Sequence, residues 1–199
     1  MPITTSSKLE LISDAVVLVG EKPITSEQDP RWAATVGLSL FDQIYENELQ
    51  SNRWRFACTK GTLSLLNAIP ANEWRYAFQL PPDMLLPIGI WPQSDFELYG
   101  DHLYTNAKSN SGPADGSGGA AVLTFEYMFK PDISKCPAYF LMLMRYALAR
   151  DMVKPITESD SAVNVFTQKY TAQRARAMYA DAQGRPNRPL QSNPFVQVR

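Results

Sequence analysis

Residues 29–66 constrain the fold more than any other stretch, because they join a helix directly to an extended segment. Asp29-Pro30 supplies an N-cap and a proline at the first helical position, and apolar residues then recur at helical spacing. This pattern predicts a helix over residues 30–51, ended by Ser51-Asn52. We expect this helix and the strand after it to form a local unit on which other elements pack.

An aromatic turn connects the two halves of this stretch. Trp54-Arg55-Phe56 begins a β-prone segment, and Gly61 is predicted to form a turn or bulge within it. We predict that Trp32, Trp54 and Phe56 form the core of the helix–strand junction. Buried aromatic side chains dominate packing, so the role expected for these residues is structural.

Three further helices are predicted, the first over about residues 8–19. A capping box precedes it, and Gly20 ends it. The next, about residues 137–152, is apolar almost all round and is expected to end at Lys154-Pro155. Such a helix belongs in the middle of a bundle or against a neighbouring subunit.

The last predicted helix covers about residues 158–182 and begins at a T-x-x-D sequence, Thr157 to Asp160. Between the helices, residues 54–129 are β-rich. Residues 99–102 form a predicted hairpin turn, and the glycine-rich residues 108–119 form a flexible loop rather than a phosphate cradle. Further strands are predicted at residues 62–66, 76–80, 85–91, 95–99, 102–106 and 121–129.

These elements predict an α+β fold with three parts. Residues 1–52 and 131–183 are predicted to form a helical bundle domain, and residues 53–130 an inserted β-rich domain. Residues 184–199 contain three prolines and three arginines and are predicted to be an extended arm. Its residues are equally compatible with a disordered tail and with an arm that docks on a partner.

Composition excludes several functional classes. The net charge of −1 over 199 residues provides no overall basic field for holding nucleic acid. Cys58 and Cys136 have neither CxxC nor histidine spacing, so we predict no metal site and two reduced, structural cysteines. The longest apolar run, residues 138–148, is too short to span a bilayer, and the start lacks a secretory signal, so we expect no membrane anchor.

The sequence also lacks recognisable catalytic patterns, including G-x-S-x-G, HExxH, GxGxxG and the P-loop. The single histidine, His102, follows Asp101 in the hairpin and is interpreted as a turn residue. Glu46 and Glu48 lie two residues apart on a helix, so they are predicted to be solvated rather than a paired-carboxylate site. We predict no catalytic, cofactor-binding or metal residues and no enzyme. A cell-wall peptidoglycan hydrolase and a small soluble binding module stay open as alternatives.

Four segments occur in a characteristic order. The helix within residues 11–24 ends in V-G-E-K-P-I, and the long helix ends in N-R-W-R-F at residues 52–56. L-P-P-D-M-L follows at residues 80–85, and Cys136-Pro137 opens an apolar helix followed by a polar one carrying residues 172–182. Together they resemble the phage tail tubular protein A family, the head-to-tail adaptors of short-tailed phages. The resemblance covers residues 8–183 by order of elements and leaves the glycine-rich loop and the arm unmatched.

The resemblance implies a helical bundle bearing a β-rich domain, a homo-oligomeric ring of about twelve copies, and a location in the virion tail after assembly in the host cytoplasm. The implied partners are other copies of the chain, the portal protein, a nozzle protein of the tail tubular protein B type, tail fibres or spikes, and DNA in passage. No cofactor is implied. In such rings the C-terminal arm reaches the portal, and here that role is predicted for Arg185, Arg188, Leu190, Pro194, Phe195, Val196 and Val198.

Overall fold

The fold is α+β, as the sequence predicts, with four helices and two small antiparallel sheets in a computed structural model. The structure describes residues 7–66, 70, 73–91, 93–107 and 122–184. The helices are α1 (Lys8–Val19), α2 (Trp32–Gln50), α3 (Ala138–Thr157) and α4 (Asp160–Gln183). The strands are β1 (Cys58–Ser64), β2 (Tyr76–Gln79), β3 (Met84–Trp91), β4 (Phe96–Tyr99), β5 (His102–Thr105) and β6 (Val122–Phe129).

The chain divides into two compact units. Among the described residues, the helical unit contains Lys8–Leu40 and residues 137–184, and the β unit contains Ser7 and residues 41–136. The division therefore falls inside α2 rather than at residue 52, because the second half of α2 packs within the β unit. There the Tyr45 hydroxyl donates to the Pro131 carbonyl over 2.8 Å, and the Trp54 indole donates to the Glu48 carbonyl over the same distance.

Helix α1 has the predicted limits. Gly20 adopts a φ of +101°, and its N–H donates to the Val17 carbonyl, which ends the helix as glycine caps do. Helix α2 begins at Trp32, two residues later than predicted. The reason is that the Asp29 carboxylate pairs with Arg31, whose guanidinium also donates to the carbonyls of Lys22 and Pro23.

The junction between α3 and α4 differs from the prediction. Helix α3 continues through Pro155 to Thr157, since the hydrogen bond that proline removes belongs to the last turn only. Glu158 then takes a left-handed conformation, with a φ of 54°. The N-cap of α4 is Ser159, whose hydroxyl accepts from the Ala162 N–H, and not Thr157, whose hydroxyl donates back to the Val153 carbonyl.

Helix α3 lies between α1 and α4 within the helical unit, as its apolar surface predicts. Its buried residues include Phe140, Leu143, Met144 and Leu148. Gly37 of α2 marks a close approach between helices. A Cβ at this position would lie 2.4 Å from the Ile12 Cγ2 atom and 3.1 Å from the Met152 Cε atom. Only glycine allows the helices to pack this closely without displacement.

The β unit contains two three-stranded sheets, ordered β1-β6-β3 and β2-β5-β4. Alternate residues of every strand point to a shared core, as a two-residue period requires. Phe96 and Phe125, one from each sheet, meet edge to face with ring centroids 6.4 Å apart. The buried members of this core are Leu63, Phe78, Leu80, Ile90, Leu103, Ala107, Leu123, Phe125 and Tyr127.

Two local predictions in the β unit are wrong. Residues Arg55–Ala57 form a short 3-10 helix rather than the start of a strand, because the backbone turns where Ala57 N–H donates to the Trp54 carbonyl. Gly61 forms neither a turn nor a bulge. It lies inside the continuous strand β1 opposite Phe125, and a Cβ at this position would lie 3.5 Å from the Tyr127 Cε1 atom.

Candidate functional site

The predicted junction core contains one fully buried residue, Trp54. Its indole N–H donates to the Glu48 carbonyl, while its own carbonyl accepts from the Cys58 thiol over 3.0 Å. Phe56 is half-buried beside it, with ring centroids 6.2 Å apart. Trp54 therefore fastens the end of α2 to the start of β1, which is a structural role.

Trp32 does not belong to this core. It is the first residue of α2, its side chain is 63% exposed, and its indole N–H donates to the Pro155 carbonyl over 3.0 Å. The late start of α2 places it at a helix end of the helical unit rather than beside Trp54. Glu48 also departs from its prediction, since it is buried at 1% exposure, whereas Glu46 is exposed and pairs with Lys130.

The predicted portal-docking residues lie outside the part of the chain that the structure describes. This covers Arg185, Arg188, Leu190, Pro194, Phe195, Val196 and Val198. The glycine-rich loop, residues 108–119, lies outside it as well.

Both cysteines are free thiols, as predicted. Cys136 is buried and lies 3.2 Å from the Tyr45 hydroxyl. Burial raises the pKa of the Cys136 thiol, and burial together with the hydrogen bond to Cys136 raises the pKa of the Tyr45 phenol. Because only the thiolate is a good nucleophile or metal ligand, Cys136 has the properties of a packing residue.

The residues described by the structure provide no metal centre, since none of their histidine, cysteine and carboxylate groups cluster in threes. His102 sits at the β4–β5 turn, where its Nδ1 atom lies 2.7 Å from the Asp101 carboxylate. Gly100, the first central residue of this turn, has a φ of 61°, which suits a two-residue hairpin. The predicted hairpin is confirmed, but its turn consists of Gly100 and Asp101, and His102 is the first residue of β5 rather than a turn residue.

The outward side of the β2-β5-β4 sheet carries a partly exposed aromatic cluster, which we call the aromatic face. It consists of Tyr99, His102 and Tyr104 together with Glu97 and Trp74. The Tyr99 and Tyr104 rings lie 5.6 Å apart, and the His102 and Tyr104 rings lie 6.2 Å apart. Tyr99 is 52% exposed, whereas Trp74, His102 and Tyr104 are half-buried.

Glu97 organises the aromatic face. Its Oε2 atom accepts a hydrogen bond from the Tyr99 hydroxyl and another, of 3.4 Å, from the Trp74 indole N–H. The bond to Glu97 raises the pKa of the Tyr99 phenol. The sequence did not predict this face, and only its hairpin part left a signal in the residue pattern. Glu97 and Tyr99 alternate on β4, and the hairpin register sets them opposite Tyr104 and His102.

Two other surfaces are exposed. On the outward side of the β1-β6-β3 sheet, Arg53 and Lys60 both pair with Glu126, and the Lys60 ammonium lies 5.9 Å from the Trp91 ring. Within its described residues, the helical unit exposes large apolar side chains on all four helices: Val17, Leu18, Trp32, Met142, Val165, Met178 and Tyr179.

Comparison with protein-family models and with curated proteins finds no match for the chain. Among the helices that the structure describes, none combines the length and the apolar character needed to cross a membrane.

Proposed function

We propose that this protein is a head-to-tail adaptor of a short-tailed phage, and that about twelve copies form a ring between the portal and the tail nozzle. The ring would offer attachment points to tail fibres or spikes and enclose a passage for DNA. The proposal describes a mechanical role in the virion tail, in which assembly is driven by burial of apolar surface rather than by chemistry.

The observation that carries the proposal is the order of elements. Two helices precede the β strands and two follow them, so the middle of the chain supplies the strands and the two ends supply the bundle. This is the order that the resemblance to the tail tubular protein A family implies. Of the segments that carry the resemblance, N-R-W-R-F follows the end of α2 and Cys136-Pro137 immediately precedes α3.

The exposed side chains of the helical unit support association. Copies in a ring meet through two different surfaces, so each copy needs two complementary patches. Tyr179 and Met178 on α4 and Val17 and Leu18 on α1 are exposed in the single chain. Aromatic and methionine side chains are enriched at the centres of interfaces, so these residues suit contacts between copies.

The proposed contact with the portal lies within residues 184–199. Residues 194–198, P-F-V-Q-V, provide an apolar, extended anchor, and many weak contacts around a ring act together. Deleting residues 184–199 is therefore expected to abolish binding to the portal protein encoded by the same genome. The binding is measured by co-sedimentation of the purified proteins.

The control for this deletion is a check that the truncated chain still folds. The truncated chain keeps every described helix and strand, so its circular dichroism and melting temperature should match those of the full chain. Undiminished co-sedimentation of a folded, truncated chain would remove the portal-docking role of this segment.

A further inference from the structure

The aromatic face combines two chemical properties: an exposed tyrosine ring beside half-buried aromatic rings, and negative charge. The strand register sets Gln79, His102 and Tyr99 side by side across the sheet, and Glu97 beside Tyr104. The opposite side of the same strands contributes Phe78, Leu98 and Leu103 to the core. The rings of the aromatic face are therefore not part of that core.

Carboxylates surround these rings. Glu97 accepts hydrogen bonds from Tyr99 and Trp74, and Asp101, whose side chain is 70% exposed, accepts one of 3.0 Å from the Gln79 amide. Glu73 adjoins Trp74 in the chain, and its charge acts on the Tyr99 phenol. The face thus presents tyrosine rings rimmed by acidic groups.

Arginine and proline are the side chains that such a surface recognises. A guanidinium group stacks on tyrosine and pairs with carboxylates through its fork of donors. Proline-rich segments are already extended and bind against exposed aromatic rings at a small entropic cost. A ligand that suits this face is therefore an extended peptide containing both residues.

The chain itself contains such a peptide. Residues 185–190 read R-P-N-R-P-L. Residues 185–199 contain three arginines and no acidic residue, so subtracting three positive charges from the net −1 leaves −4 for residues 1–184. The positive charge of the segment complements the acidic groups of the aromatic face.

We propose that the aromatic face binds residues 185–190 of a second copy of the chain. Arg185 or Arg188 stacks on Tyr99 and pairs with Glu97, and the prolines lie against the Tyr104 and Trp74 rings. The assignment to a second copy rests on the proposed ring, in which one copy meets a different surface of the next. Residues 194–198 remain available to the portal.

The test measures binding of a synthetic peptide with the sequence of residues 184–199. The receptor is the full chain carrying Arg185→Glu and Arg188→Glu, so that its own segment does not compete. Calorimetric titration is expected to show saturable binding that weakens with added salt. A peptide with glutamine in place of Arg185 and Arg188 should not bind.

Receptor variants locate the binding surface. Tyr99→Ser and Glu97→Gln are each expected to weaken binding about tenfold or more, as loss of an interface anchor does. The matched control is Trp91→Ser on the other sheet, because Trp91 is also 52% exposed. It should leave the affinity unchanged, and melting curves check that all three variants fold. No binding, or equal weakening by all three variants, overturns the proposal.

A second experiment identifies the copy that supplies the segment. Full chains carrying photoreactive benzoylphenylalanine at position 79, in an equal mixture of ¹⁴N and ¹⁵N protein, are irradiated on the portal and analysed by mass spectrometry. Mixed-isotope links from position 79 to residues 185–199 are expected. If every link joins two peptides of the same isotope, the segment comes from the same copy and the assignment to a second copy is overturned. If the protein forms a ring on the portal but the peptide does not bind, this inference is refuted and the proposed function is not. If the peptide binds but no ring forms, the proposed function is refuted.

Discussion

Trp54 is the residue on which the β unit depends most. Its side chain is completely buried and its indole N–H is satisfied by the Glu48 carbonyl, so it connects the end of α2 to the strand that follows. A large aromatic residue in such a place contributes to stability through both packing and its hydrogen bond. The consequences of removing it can be measured directly.

Trp54→Ala is expected to reduce the free energy of unfolding by about 3–5 kcal/mol, the usual cost of an aromatic-to-alanine change in a core. Urea unfolding followed by circular dichroism provides the measurement. Trp91→Ala is the control, since this tryptophan is half-exposed and should change stability by about 0.5 kcal/mol or less. Similar losses for the two variants would contradict a core role for Trp54.

Gly37 shows that packing can reverse a helix propensity. Alanine in a helix interior is ordinarily favoured over glycine by about 1 kcal/mol. Here the new methyl group would lie 2.4 Å from Ile12 Cγ2, on a fully buried, β-branched side chain that has little freedom to move. We therefore expect Gly37→Ala to destabilise the protein by about 1–3 kcal/mol, as overpacking does, in chemical unfolding.

Two variants test this explanation of Gly37. Gly89→Ala is the control, because a Cβ there meets nothing within 4 Å and stability should hardly change. Ile12→Leu removes the methyl group that clashes, so it should restore part of the stability lost in Gly37→Ala. If the loss of unfolding free energy in the double variant equals the sum of the losses in the two single variants, the contact with Ile12 is not the cause.

At the scale of elements, periodicity predicted more than composition did. The apolar spacing of α1 and the β-branched run of β6 gave nearly correct limits, since both patterns reflect a buried face. The errors fall where tertiary contacts outweigh local signals. Trp32 and Glu48 have the burial opposite to that expected of their residue type, because position in the fold, rather than polarity, decides exposure.

The beginning of α4 provides a test of whether tertiary contacts outweigh local sequence signals. The sequence favours Thr157 as the cap, whereas the structure uses Ser159. Ser159→Ala should cost about 1 kcal/mol, as loss of an N-cap does, because the Ala162 N–H loses its acceptor. Thr157→Ala should have a smaller effect, since its hydroxyl donates to the Val153 carbonyl and accepts only from the Ser159 N–H, outside α4. Thermal unfolding of both variants distinguishes the two caps, and a larger loss for Thr157→Ala would favour the sequence prediction.

At the scale of the whole molecule, sequence predicted the class of fold and the place of the β strands in the chain. It did not predict the aromatic face, because that face depends on hairpin register and on the contact of Trp74 with Glu97, which lies 23 residues away. Surfaces that bring together separate segments leave little trace in local patterns. The proposed adaptor role likewise concerns contacts between molecules, so it is tested on assemblies.

Electron microscopy of this protein mixed with the portal of the same phage tests the central proposal most directly. The account predicts a closed ring of about twelve copies bound to one end of the portal, with density for residues 185–199 at the contacts. Particles in which the portal remains bare, or in which the protein binds without forming a ring, would contradict it.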